Sequence, residues 1–168
     1  MLNNMKPDIT KIANAILYMI ENKVLHLNDK KLASLLFLID FEHLKNHNEK
    51  IFEEVYIKDK RAPKPDTLSN IFNIMINNED LEEDDDRLYI IQELLDHLDI
   101  EILDKTKFTE LNFIKMEEDF DKSLFTKKEL KTITKIIELY KNTTARKMAN
   151  QCFSIEKVRT TPINDVII

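Results

Sequence analysis

Apolar side chains recur along this chain at the three-to-four-residue spacing of amphipathic helices, and polar breaks separate the segments. Ile9, Ile12, Ala13, Ile16, Leu17 and Ile20 share one helical face behind Pro7 and Asp8, which predicts a first helix to about Asn22. Asn28 or Asp29 suits the cap of a second helix, over 30–46, with Leu32, Leu35, Leu36, Ile39 and His43 in one stripe. Phe37, Leu38, Phe41 and Leu44 widen that stripe most of the way round. A helix apolar on most sides is covered on most sides, so this one is expected at the centre of the core.

The strongest strand pattern is FEEVYIK, residues 52–58, where Phe52, Val55, Tyr56 and Ile57 alternate in part. Residues 60–66, KRAPKPD, then break regular structure twice, because Pro63 and Pro65 force extended conformations on Ala62 and Lys64. A third helix is expected over about 66–77 and a fourth over about 87–99. Between them Glu79–Asp86 carries seven carboxylates in eight positions, so 78–86 reads as an exposed acidic loop. Residues 100–116 stay open between helix and strand, Leu111–Met116 suiting a strand. Thr126 and Glu129 form a capping box that opens a helix to Tyr140, and Thr144 begins a shorter one over 144–152. The tail, 155–168, alternates loosely, ends Val-Ile-Ile and is expected to be extended. The fold class predicted is mainly α (α+β): a single helical domain over 1–168, around a buried central helix with a small β-element.

Composition narrows the chemistry. With no glycine, the chain cannot write a Gly-rich phosphate loop, a GxSxG nucleophile elbow or the turn of a calcium loop. One cysteine, Cys152, allows no internal disulfide and no thiolate zinc site. The start, MLNNMKPDIT, is too polar for a signal peptide, and no apolar run approaches the ~18 residues of a membrane span. The expected compartment is the cytoplasm.

Candidate catalytic groups are scattered. His43 and His47, four apart, share a helix face but lack a third metal ligand nearby. Asp96, His97 and Asp99 read as a polar helix face, since adjacent helical positions point about 100° apart. Cys152 lies at helical spacing from Ala145, Met148 and Ala149 and reads as a small core residue. No cofactor, no metal and no enzymatic activity are expected. Lys58, Lys60, Arg61 and Lys64 make one basic cluster, but on a chain of net charge −6, without interleaved aromatics or a helix-turn-helix, it is a weak nucleic-acid footprint. The prolines stiffen this segment, so Tyr56–Pro65 is the expected protein-contact surface.

The order of these features resembles the Panacea antitoxin domain, found in SocA-type antitoxins and related phage-associated proteins. A buried helix (KKLASLLFLIDFEHL) leads through a polar turn (KNHNEK) to a strand (IFEEVYIKD) and a proline segment (KRAPKP). Further on, FTKKELKTITKII, Tyr140 and Thr144–Ala145 match a late helix, a tyrosine and a Ser/Thr-Ala helix start. Three positions depart from the family pattern: Ala62 stands for a glycine, Phe37 for a tyrosine and Phe153 for a histidine. The resemblance implies an antitoxin that neutralises a protein toxin by direct binding, without catalysis. Alternatively it implies an adaptor that delivers the toxin to an AAA+ protease, or a phage-associated regulatory protein. The expected partner is a cognate toxin, basic in charge, with neither nucleic acid nor membrane involved. The expected contact residues are Tyr56, Lys58, Arg61, Pro63, Lys64 and Phe153, together with the acidic Glu82, Glu83, Asp84, Asp85 and Asp86.

Overall fold

A computed structural model describes residues 6–168; the polar start, 1–5, lies outside them. Side-chain oxygens set the first two helices. Asp8 accepts from the N–H of Lys11 to open α1 (Ile9–Glu21), and Asn28 accepts from that of Lys31 to open α2 (Asp29–His47). Asn48, at φ 62°, closes α2 in the left-handed conformation that asparagine tolerates better than most residues. As its pattern requires, α2 is central: Leu32, Leu35, Leu36, Phe37 and Ile39 are fully buried. The buried core that surrounds it draws on α1, α3 and the later helices.

After α2 the chain forms an antiparallel hairpin of β1 (Tyr56–Asp59) and β2 (Ala62–Pro65), in register Tyr56 to Pro65 and Asp59 to Ala62. The expected strand over 52–58 is therefore shorter, and the expected break over 60–66 holds the second strand. The pre-proline preference for extended backbone at Ala62 and Lys64 is what a strand needs. Lys60 makes the reversal with φ 44°, and Ala62, in the place of the family's glycine, carries no positive φ among the described residues. Tyr56 and Lys58 use both backbone groups on the chain's far end, pairing with Ile167, Ile168, Asn164 and Asp165. Ile57 and Asp59 must then face β2, which leaves Pro63 and Pro65 where an N–H would point away from the sheet. Proline fits that edge because it has no N–H to satisfy.

The rest of the chain comprises α3 (Asp66–Ile76), α4 (Asp86–His97), β3 (Leu98–Asp104), β4 (Thr109–Lys115), α5 (Lys127–Tyr140), α6 (Ala145–Phe153) and α7 (Glu156–Thr160). Strands β3 and β4 form a second antiparallel hairpin, from Leu98 opposite Lys115 to Asp104 opposite Thr109. Its inner face buries Leu98, Leu111 and Phe113. The helix expected to Asp99 thus ends at His97, because Leu98, Ile100 and Ile102 alternate rather than continue a helical stripe. The capping box is present at α5: Thr126 and Glu129 bond each other's backbone reciprocally.

The tail needs correction. Residues 156–160 are helical, not extended, and only the last few run along β1. A five-residue helix is too short to print a period on the sequence; Lys58 fixes its carbonyl end instead. The architecture is mainly helical with two small antiparallel sheets, an α+β fold. Among the described residues, no helix is long and apolar enough to cross a membrane.

Candidate functional site

Four buried ionisable side chains fasten the segments that frame a groove beside α2. Asp40, fully buried in α2, accepts the N–H groups of Ile51 (2.6 Å) and Phe52 (3.1 Å) at Oδ1 and the Tyr56 hydroxyl (2.7 Å) at Oδ2. Burial pushes its carboxyl up to about 6, even though these hydrogen bonds pull it down. Glu54, also buried, accepts from the N–H groups of Val55 (2.9 Å), Thr67 (3.3 Å) and Leu68 (3.1 Å). It caps α3 from outside, because the cap residue Pro65 has no side-chain acceptor. Burial raises its pKa as well.

Lys31 donates to the carbonyls of Leu25 (2.6 Å) and Lys141 (3.1 Å), and burial lowers its pKa to about 8. Lys58 donates to the carbonyls of Val158 (2.7 Å) and Thr161 (3.1 Å) at the end of α7. A cation on helix-terminal carbonyls is favourable both as a hydrogen bond and against the helix dipole.

These contacts correct the expected contact surface. Tyr56 and Lys58 are buried and offer no surface to a partner, because the chain's end folds back over β1, while Pro63, buried in β2, is reached only through the groove beside α2. Arg61 and Phe153 do come together: the exposed guanidinium lies 4.5 Å from the ring centroid, and the Lys58 ammonium lies 5.4 Å from it. Glu82, Glu83, Asp84 and Asp86 are exposed, while Asp85 accepts from the N–H of Arg87 to cap α4 and pairs with the Arg87 guanidinium at 2.8 Å.

The groove, about 590 Å³, lies where the first turns of α2 and α6 meet β2 and α3. Its floor is made of small or rigid residues: Ala33, Pro63, Pro65, Ala145 and Ala149. Phe72 and Phe108 wall it, the latter nearly half exposed at the tip of the β3–β4 hairpin. Lys30, Lys64 and Arg146 stand on its rim, the Lys30 ammonium 4.6 Å from the centroid of Phe108. Of the expected contact residues, Pro63 and Lys64 line this groove, and none of the acidic segment does.

The candidate catalytic groups find structural partners. Thr132 donates its hydroxyl to the carbonyl of Lys128, so it accepts from His43 Nδ1–H at 2.9 Å; the buried Nε2 has no partner. Burial, and then the His47 ring beside it, lower the His43 pKa, which fits a neutral imidazole with a bare acceptor. His97 bonds Glu118 at 2.9 Å on the surface. Cys152 is buried, and burial raises its thiol to about 12, far from the thiolate a nucleophile needs. Among the described residues, no three His, Cys, Asp or Glu side chains are placed to hold a metal ion.

The family described as Antitoxin SocA-like, Panacea domain, matches residues 32–154. The chain belongs to this family. The match runs from the buried stripe of α2 to the residue after α6 and takes in β1, β2 and most of the groove lining. No curated protein and no solved structure matches the chain.

Lys30, Arg146, Phe72 and Phe108 escape sequence reasoning. Lys30 and Arg146 each sit in the first turn of a helix and look like ordinary solvated cations; only the packing of α2 against α6 gathers them. The one available signal was small residues, Ala33 and Ala145 with Ala149, on helices otherwise rich in long side chains.

Proposed function

We propose that this Panacea-domain protein is the antitoxin of a toxin–antitoxin pair and neutralises a protein toxin by direct binding in the cytoplasm, without catalysis. The observation that carries this reading is the family match over residues 32–154. The structure supports it in kind. Lys31, Asp40, Glu54 and Lys58 are tied to backbone groups, His43 and His97 have hydrogen-bond partners and Cys152 is buried, while the outer surface offers a pre-formed groove and an exposed anionic segment. A pre-formed surface binds with less ordering entropy than a mobile one.

The exposed carboxylates Glu82, Glu83, Asp84 and Asp86 suit attraction of a basic toxin, raising the encounter rate rather than the contact energy. Replacing these four by their amides is expected to lower the association rate about 10-fold or more at low salt, and the difference should vanish at high salt. Stopped-flow binding at two ionic strengths reads it, and an unchanged rate removes the steering role. The function itself is tested by expressing each reading frame encoded beside this chain, alone and with it. A frame that arrests growth alone, is tolerated with this chain and co-purifies with it supports the proposal. A toxic neighbour that stays toxic and does not bind overturns it.

A further inference from the structure

The groove between α2, β2, α3 and α6 has a charge pattern that its chain as a whole does not share. On a molecule of net −6, three cations, Lys30, Lys64 and Arg146, stand round one concavity. None of the three makes an ion pair among the described residues, although eight other pairs form elsewhere on those residues. Two carboxylates share the lining. Asp29 has an oxygen committed to the N–H of Leu111 at 3.0 Å, and Asp59 stands exposed at the end of β1. The rim therefore remains positive on balance.

Two further features fit an anion carried on a polypeptide. The lining residues Ala145 and Arg146 open α6, and Thr144 caps only the N–H of Lys147, so two first-turn donors stay outside the helix's own bonding. The floor is alanine and proline and the walls are phenylalanine, which would take an apolar side chain between the charges. Strand addition is closed to the occupant on this side, because β2 turns two prolines to its outer edge. Recognition then falls to side chains rather than to a backbone ladder.

We infer that this groove binds a short segment of a protein partner that carries two or more carboxylates flanking an apolar residue. Lys64 and Arg146 hold the carboxylates, and Phe108, backed by Lys30, closes over the apolar side chain. This deepens the antitoxin reading by naming the part of the toxin that docks here. With a basic region of the same toxin facing the acidic segment, two patches of opposite sign would fix the orientation of the complex.

The experiment uses the full chain, as wild type and as the variants Lys64→Glu, Arg146→Glu and Ala149→Trp, each checked for its fold by circular dichroism. An array of random-sequence octapeptides is probed with each protein, and selected peptides are titrated by fluorescence anisotropy. The expected selection is peptides with at least two Asp or Glu around an apolar residue. Each charge reversal should weaken binding about tenfold, a typical effect for a charge-assisted contact, and Ala149→Trp should abolish it by filling the floor. Selection of neutral or basic peptides, or affinity indifferent to all three folded variants, overturns the assignment. So does displacement of the peptides by pyrophosphate or ATP at equal concentration, which would mark a phosphate site. The two proposals fail separately. A toxin neutralised and bound equally well by Lys64→Glu and Arg146→Glu refutes the groove and leaves the antitoxin, whereas acidic peptides bound without any neutralised neighbour do the reverse.

Discussion

Replacing Asp40 by asparagine tests whether the carboxylate joining α2 to the β1 hairpin is held at a cost. The carboxyl is fully buried, and its pKa rise from 3.8 to about 6 corresponds to about 3 kcal/mol. A folded-state pKa above the unfolded value means that the folded chain holds a proton where the unfolded chain has released it. The contribution of Asp40 to stability is therefore complete below about pH 4 and falls away as the pH rises through about 6. Asparagine keeps the acceptor for the N–H groups of Ile51 and Phe52, and Tyr56 can still donate to the carbonyl of Leu36, 3.1 Å from its hydroxyl. The variant lacks the titration. Urea unfolding followed by circular dichroism between pH 4 and 8 reads the difference between the two proteins, in which the other carboxylates, Glu54 included, largely cancel. The wild type should lose about 3 kcal/mol relative to Asp40→Asn across that window. Tyr56→Phe, by removing a donor to Oδ2, should move the loss to higher pH. Parallel curves for wild type and Asp40→Asn would refute the argument, as would a relative gain in wild-type stability with rising pH.

Other consequences follow from single contacts. Cys152 should resist alkylation in the folded protein up to pH 9 and react only on unfolding, since burial holds its thiol at about 12; pulsed labelling with mass spectrometry reads this. Lys60→Gly should raise stability by about 0.5–1 kcal/mol, because an L-residue in the left-handed region costs more than the added freedom of glycine, and a rise of about 2–3 °C in Tm would show it. Lys58→Met should cost about 1–3 kcal/mol by leaving the carbonyls of Val158 and Thr161 without their donor. Hydrogen exchange should then accelerate in 156–168 before the rest of the chain.

How much of this was legible in the sequence depended on the range of the interaction that decides it. The central place of α2 was legible because apolar residues encircle that segment, and the α5 start because Thr126 and Glu129 act within one turn. The β3–β4 hairpin was legible only in its second strand, in the pattern of Leu111–Met116, for two reasons. Its turn, KTKF at 105–108, has none of the glycine, asparagine or proline that marks a reversal, and its first strand follows α4 without a break. Tyr56 and Lys58 read as contact residues for a related reason. Both look like surface positions until a tail about 100 residues downstream covers them. The groove's cations needed two helices far apart in sequence to meet, which no local pattern records.

The same long-range fastening explains how a chain without glycine, built of short helices and two small hairpins around one central helix, can present a defined surface. Lys31, Asp40, Glu54 and Lys58 are each buried with a charge-bearing group, and none of them pairs with an opposite charge among the described residues. Each instead takes backbone groups of a segment that has no regular structure to satisfy them: the α1–α2 loop, residues 51–52, the first turn of α3, and the end of α7. A buried ion pair would hold two side chains together; a buried ion on backbone holds a loop in place and satisfies groups that would otherwise be unpaired. Two of those segments continue into groove walls, α2 with Lys30 and α3 with Phe72, so their positions are set before any partner arrives. The ionisable residues of the interior therefore act on binding through geometry, while those of the surface, Lys30, Lys64, Arg146 and the acidic segment, remain free to act through charge.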